Sequence, residues 1–168
     1  MANTLFDIDR NKHTITVTSN YKAPLEQVWA AWTKPDILDQ WWAPHPWKVE
    51  TKEMNFKPNG RWLYAMVSPE GQKIWSLLEY LEISINHYFV AEDAFCDENG
   101  IKNYDMHPSS KWHNSMEHNA GTTTVTNIIT FDSTEAMDNI LQMGFREGYQ
   151  MGLSNLEKYL SEHNTKQL

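Results

Sequence analysis

Cysteine is almost absent from this sequence of 168 residues, which contains only Cys96. A single cysteine excludes an internal disulfide bond, and disulfide bonds are typical of secreted proteins rather than cytoplasmic ones. We therefore expect a cytoplasmic location. Asp97 and Glu98 follow the thiol and disfavour its ionisation, so we interpret Cys96 as a structural residue.

Long apolar runs are also absent. No stretch approaches the roughly 20 apolar residues that a membrane-spanning helix needs, so we expect no membrane insertion. Residues 1–12 include Asp7 and Asp9 and lack the apolar run of a signal peptide. We predict one domain over 1–168, with 1–12 as an N-terminal extension and 162–168 as a C-terminal tail.

Clusters of basic residues are the third absence. The chain has 14 Lys and Arg residues against 22 Asp and Glu residues, a formal net charge of −8. Phosphate recognition needs clustered positive charge, so we expect no nucleic-acid partner. Glycine-rich phosphate loops, nucleophile elbows and other catalytic signatures are missing as well. The catalytic residues of any reaction are therefore unknown, and we expect no cofactor.

Aromatic residues, in contrast, are abundant, with eight Trp, seven Tyr and six Phe. Such residues build hydrophobic cores, and they also line pockets for flat apolar molecules. Both interpretations remain open from composition alone, although core packing will account for most of them.

The order of apolar and polar residues predicts a strand, two helices and then a series of strands. Residues 13–19 alternate apolar and polar side chains, which is typical of a strand. Pro24 and Pro35 suit the first positions of two short helices. Short turns separate the later segments and predict an antiparallel meander. These later strands are predicted at 47–55, 61–67, 73–83, 86–95, 112–118 and 122–131.

Residues 133–160 predict one long amphipathic helix, with Asp132 as its N-cap. Gly144, Gly148 and Gly152 recur every four residues on one side of it. Three glycines cost a helix roughly 3 kcal/mol relative to alanine, so something must compensate for them. One interpretation is close packing against another backbone, and the other is room for a ligand beneath the helix.

The predicted fold class is α+β. An antiparallel sheet of this size must bury one face, and the long helix is the element able to cover it. We therefore predict a curved sheet of six or seven strands that wraps around the long C-terminal helix. Two short helices follow the first strand and close one side.

Five motifs carry a resemblance to a known family. They are APLEQVWAAW at 23–32, WWAP at 41–44, NGRW at 59–62, GTTTVT at 121–126 and GFREGY at 144–149. In order and spacing they resemble the START-like helix-grip superfamily, also called SRPBCC or Bet v 1-like. Within it, they are most similar to homologues of the activator of the heat-shock-protein-90 ATPase. The resemblance implies a hydrophobic cavity between the sheet and the C-terminal helix, and no shared catalytic set.

Two features depart from the pattern of that family. The family often has two glycines where this chain has Asn59-Gly60, and the segment 95–121 is longer and more polar than usual. Either difference can reshape the mouth of the cavity. The chaperone activator itself carries a further N-terminal domain, for which we expect no room here. A chaperone or a second copy of this chain therefore remains only an alternative partner.

The ligand-binding residues are expected among the aromatic and glycine positions that such a cavity would expose. The predicted set is Trp41, Trp42, Trp62, Tyr64, Trp75, Tyr80, Phe89, Gly144, Gly148, Tyr149 and Gly152.

Two polar sets of residues are candidates for other kinds of site. Zinc ligands could come from Asp105, His107, His113, Glu117 and His118, but their spacing matches no motif, and we predict no metal site. A carboxylate that faces an apolar pocket has a raised pKa and can act as an acid or base. The candidates for that role are Arg61, Glu79, Glu82, His87, Glu92 and Asp93.

The leading hypothesis is a START-like domain that binds a small hydrophobic or aromatic molecule between the sheet and the C-terminal helix. One alternative is an enzyme of the cyclase or hydrolase type that uses an acid–base residue in the pocket. Another is a chaperone-associated interaction protein. We favour binding because of the excess of aromatic residues and the helix-grip pattern.

Overall fold

The computed structural model describes residues 3–105 and 107–164. Within these described residues, eight strands and four helices follow one another. In chain order they are β1 (Asn3–Asp9), β2 (Thr14–Tyr21), α1 (Leu25–Thr33), α2 (Pro35–Trp41), β3 (Lys48–Met54), β4 (Arg61–Val67), β5 (Lys73–Ser84), β6 (Tyr88–Cys96), β7 (Lys111–Asn119), β8 (Thr122–Thr130), α3 (Thr134–Gln142) and α4 (Phe145–Asn164).

All eight strands belong to one curved antiparallel sheet in the order β1-β2-β8-β7-β6-β5-β4-β3. Burial alternates along β2, where Ile15 and Val17 are fully buried and Thr14 and Thr16 are partly exposed. The sheet therefore has an inner face, which packs on the helices, and an outer face. The predicted α+β helix-grip fold is confirmed.

The sheet has one strand more than the upper end of the predicted range. Residues 3–9, which belong to the predicted N-terminal extension, form β1 and pair with residues 14–20 of β2. Phe6 and Ile8 point to the inner face and pack against the core. The stretch has only these two large apolar residues on its inner face, so its strand structure depends on pairing with the neighbouring strand.

The predicted helix 133–160 is two helices, which corrects that expectation. α3 ends at Gln142, α4 begins at Phe145, and Gly144 between them has φ +90°. An L-residue with a side chain rarely adopts that conformation. The N-cap is Ser133 rather than Asp132, because the Ser133 hydroxyl accepts a 3.0 Å hydrogen bond from the Ala136 backbone N–H.

Buried polar groups join α4 to the inner face of the sheet. Tyr149 Oη donates to Oδ1 of Asn127 at 2.6 Å, and Asn127 Nδ2 donates to Oδ1 of Asn114 at 2.7 Å. All three residues are buried. A buried amide without partners is costly, so this chain of hydrogen bonds fixes the height of α4 above β7 and β8.

The polar connection between β6 and β7 lies partly against the outer face of the sheet. Lys102 pairs with Glu79 of β5, and Lys52 of β3 donates to the Glu98 carbonyl oxygen at 2.6 Å. Near these contacts lies a small apolar cluster on the outer face. Its members are Leu63, Leu77 and Ala94, with Trp75 and Cys96 packed beside them.

Among residues 3–105 and 107–164, no helix has the length and apolar character needed to cross a membrane.

Candidate ligand pocket between the sheet and the C-terminal helices

A pocket of about 320 Å³ opens between the inner face of β4–β6 and the junction of α3 with α4. Its wall is mostly apolar and aromatic. The lining residues are Trp42, Pro44, Tyr64, Met66, Ile74, Ser76, Asp93, Ala94, Phe95, His107, Trp112, Ile140, Met143, Gly144, Phe145, Gly148 and Tyr149. Concave sites of this kind, with few polar groups among aromatic walls, suit small organic molecules.

Five of the predicted ligand-binding residues line this pocket, namely Trp42, Tyr64, Gly144, Gly148 and Tyr149. They come from three parts of the chain that are distant in sequence. The turn after α2 contributes Trp42, β4 contributes Tyr64, and the α3–α4 region contributes the other three.

The other six predicted residues lie elsewhere. Trp41 is buried, and its Nε1 donates to the Ala31 carbonyl oxygen at 2.8 Å. Trp62 and Phe89 line a separate apolar void of only about 10 Å³. Tyr80 packs its ring on Phe56 in the core. Trp75 and Gly152 also lie outside the lining of the pocket.

Trp75 lies on the outer face of β5, because it pairs with Cys96 and belongs to the outer apolar cluster. The Nζ atoms of Lys52 and Lys73 lie 5.7 Å and 5.8 Å from the centre of its ring. The neighbouring residue, Ser76, points to the inner face and lines the pocket. Composition marked Trp75 as a candidate, and the side-chain alternation of the strand places it on the opposite face.

The three glycines differ in what surrounds them. A Cβ at Gly152 would lie 3.2 Å from the Trp42 carbonyl oxygen, so here α4 packs closely against the backbone after α2. A Cβ at Gly148 would meet only Pro44 Cγ, at 3.7 Å, and Gly144 allows the chain to break between the helices. Close packing and open space therefore both occur along this stripe.

Aromatic rings form one side of the pocket. The Trp112 ring meets those of Tyr149 and Phe145 edge-on, with centroids 5.5 Å and 6.1 Å apart. Trp42 Nε1 donates to the Tyr64 hydroxyl oxygen at 3.1 Å. Burial raises the pKa values of Tyr64 and Tyr149 well above the ordinary tyrosine value, so both hydroxyls stay neutral at physiological pH.

Asp93 provides a carboxyl group on the pocket wall. Its Oδ1 accepts hydrogen bonds from the Ser110 backbone N–H at 2.7 Å and from the Ser110 hydroxyl at 2.8 Å. Its Oδ2 accepts one from Trp112 Nε1 at 3.2 Å. Burial raises the pKa of this carboxyl above its usual value, and these three donors oppose that shift. The side chain is only partly exposed.

His107 lies close to Asp93 and is buried between the rings of Phe95 and Phe131, with centroid distances of 6.3 Å and 6.1 Å. Its Nε2 atom has no hydrogen-bond partner among the residues that the structure describes. Burial lowers the pKa of the imidazole, although Asp93 and Asp132 oppose this, so the ring is neutral near pH 7.

Sequence reasoning omitted several lining residues from the ligand-binding set, above all Trp112 and Phe145. The alternation of β7 could have found Trp112, because it shares a face with the buried Asn114. Asp93 and His107 were considered, but in the acid–base set and in the metal set rather than together. They meet only because the β6–β7 connection returns to the inner face.

The other acid–base and metal-ligand candidates are not among the described residues that line the pocket. Glu79 pairs with Lys102 on the outer face, and the Tyr88 hydroxyl donates to Glu82 Oε2 at 3.3 Å at the surface. The His113 ring stacks on Tyr88 with centroids 5.2 Å apart. Within 3–105 and 107–164, no three His, Cys, Asp or Glu side chains form a group that could hold a metal ion.

Comparison with known proteins supports the fold and identifies a family. The sequence model of the family described as Activator of Hsp90 ATPase homolog 1-like protein matches residues 22–161. A crystal structure of a Mycobacterium smegmatis protein is similar, with 26% identity, a TM-score of 0.85 and coverage of 97% of this chain and 99% of that one. No curated protein matches the chain.

Two structures solved by NMR are also similar. One protein, from Arthrobacter aurescens, is 26% identical with a TM-score of 0.88, covering 94% of this chain and 91% of that one. The other, from Staphylococcus epidermidis, is 29% identical with a TM-score of 0.81, covering 93% and 94%. Because the family match covers most of the sequence, the chain belongs to the Activator of Hsp90 ATPase homolog 1-like protein family.

Proposed function

We propose that this START-like domain binds a small hydrophobic or aromatic molecule in the pocket between β4–β6 and the α3–α4 junction. The observation that carries the proposal is the volume of about 320 Å³ beside Trp42, Tyr64, Trp112 and Tyr149. Aromatic rings gain from stacking and edge contacts as well as from the removal of apolar surface from water. We place this activity in the cytoplasm, which the single free cysteine supports.

Gly148 offers the sharpest test of the proposal. A phenylalanine at this position would extend into the pocket, because its Cβ meets only Pro44 Cγ at 3.7 Å. Gly148→Ala is the matched control, since it adds only one methyl group at the same place. Both substitutions are compatible with the helix.

The measurement is a fluorescence titration with N-phenyl-1-naphthylamine, a neutral apolar probe that brightens when it leaves water. We expect wild type and Gly148→Ala to bind it with affinities within about threefold, and Gly148→Phe to lose at least about tenfold, or 1.4 kcal/mol. Circular dichroism confirms folding of each variant. Equal binding by a folded Gly148→Phe variant would exclude this pocket as the binding site.

A further inference from the structure

Among the residues that the structure describes, the pocket wall combines aromatic rings with one carboxyl group and includes no Lys or Arg. Asp93 is the acidic residue among those that line the pocket. His107 also lines the pocket, and burial lowers the pKa of its imidazole and favours the neutral ring. Among the described lining residues, the formal charge that a ligand meets therefore comes from the Asp93 carboxyl and is negative when that group is ionised.

The hydrogen bonds around Asp93 leave acceptor capacity for a ligand. A carboxylate has about four lone-pair positions. Ser110 occupies two through Oδ1, and Trp112 occupies one through Oδ2. The carboxylate is thereby held in one orientation, partly exposed at the pocket, with room at Oδ2 for a further donor.

The neighbouring rings favour a cationic donor over a neutral one. The faces of Trp and Tyr attract an ammonium group within about 6 Å of the ring centre. Trp112 both donates to Asp93 and contributes its ring to the wall shared with Tyr149. A bound carboxylate would instead meet the like charge of Asp93 in a poorly hydrated site.

We infer that the natural ligand is an aromatic or otherwise apolar molecule that carries a protonated amine, with Asp93 as the residue that recognises the amine. This inference rests on the proposed function, because it assigns a ligand class to the same pocket. It excludes fatty acids and other apolar anions as the preferred ligands.

Three naphthalenes of one shape test the inference by isothermal titration calorimetry on the full chain at pH 8. They are 1-naphthylmethylamine, the neutral 1-naphthylmethanol and the anionic 1-naphthoate. We expect the amine to bind at least about tenfold more tightly than the alcohol, because hydrogen bonds to charged groups are the strong ones. The carboxylate should bind most weakly.

Asp93→Asn is the specific variant, since its carbonyl oxygen can still accept from Ser110. It should reduce the preference for the amine to less than about threefold and change the affinity for the alcohol little. Equal affinities for all three compounds in wild type, or tightest binding of 1-naphthoate, would overturn the inference and leave the proposed pocket standing. Binding of none of them would overturn both.

A pH series on wild type gives an independent test if Asp93→Asn does not fold. The amine stays protonated between pH 8 and pH 4, whereas burial raises the pKa of Asp93, so this carboxylate loses its charge at a higher pH than an ordinary aspartate does. The preference for the amine should therefore disappear as pH falls. A preference that is unchanged at pH 4 would contradict the inference.

The contribution of Asp93 to this pH dependence must be distinguished from the contributions of other titratable groups near it. These are Tyr64, which stays neutral throughout, and His107, whose protonation at acidic pH would also repel an amine. A His107→Gln variant removes the second effect. In this variant, the preference for the amine should still be lost as the pH falls. If the variant instead keeps its preference at low pH, the pH dependence comes from His107, and the role of Asp93 is overturned.

Discussion

The hydroxyl of Tyr149 on α4 donates a 2.6 Å hydrogen bond to the buried amide oxygen of Asn127 on β8. The ring of the same tyrosine forms part of the pocket wall. One side chain thus attaches the C-terminal helix to the sheet and shapes the space between them.

Tyr149→Phe should lower the free energy of unfolding by about 1–3 kcal/mol, because it leaves the Asn127 oxygen buried without its donor. Urea denaturation measures the change. Tyr88→Phe is the control, since it removes a long surface hydrogen bond to Glu82 and should change stability by less than about 0.5 kcal/mol. Equal losses of unfolding free energy in the two variants would show that the buried hydrogen bond stabilises the fold no more than the surface hydrogen bond does.

Alanine substitutions at the two helical glycines, Gly148 and Gly152, should have different effects on stability. Gly148→Ala should stabilise the protein by up to about 1 kcal/mol, because alanine favours the helix and its Cβ makes an ordinary contact with Pro44. Gly152→Ala should lose that gain, because its Cβ would lie 3.2 Å from the Trp42 carbonyl oxygen. Thermal unfolding compares them. A Gly152→Ala variant as stable as Gly148→Ala would contradict close packing at Gly152.

Gly144→Ala should destabilise the protein by about 1–2 kcal/mol, the cost of a left-handed conformation for a residue with a Cβ. Apart from Gly144 and its two chain neighbours, no atom of the described residues lies within 4 Å of that added Cβ, so steric contact with the rest of the fold does not contribute. Gly144→Asn should cost less, because asparagine tolerates positive φ better. Urea denaturation of both variants tests the expectation. A Gly144→Ala variant that is more stable than wild type would indicate that α3 and α4 can join into one helix.

Cys96 should react slowly with iodoacetamide in the folded protein. Burial, and secondarily the charge of Asp97, raise the pKa of this thiol to about 11. The alkylation rate should therefore rise about tenfold per pH unit from pH 7 to pH 10, whereas in urea it should level off near the ordinary thiol value of about 8.5.

Asp97→Asn should raise the alkylation rate of the folded protein, because it removes the negative charge but keeps an oxygen that can accept from the Asn99 and Ile101 backbone. A rate for folded wild type that levels off by pH 9 would contradict the raised pKa.

Much of the fold followed from local patterns. Alternation and turn residues predicted β4 over 61–67 with the bounds that the structure has, and they placed most of the other strands to within one or two residues. β1 was missed because its strand character comes from pairing with β2. The break at Gly144 was missed because an apolar stripe continues through it, and a glycine inside such a stripe is compatible with either one helix or two.

The helix-grip fold could be predicted from local properties of the chain, namely the two periodicities of side-chain direction and the positions of the turn residues. Which aromatic residues face the pocket depends instead on strand pairing. Trp75 and Tyr64 come from neighbouring strands, yet strand pairing directs Trp75 to the outer face and Tyr64 to the inner one. The contact of Asp93 with Ser110 and Trp112 likewise depends on the fold, because residues distant along the chain meet through the register of β6 and β7.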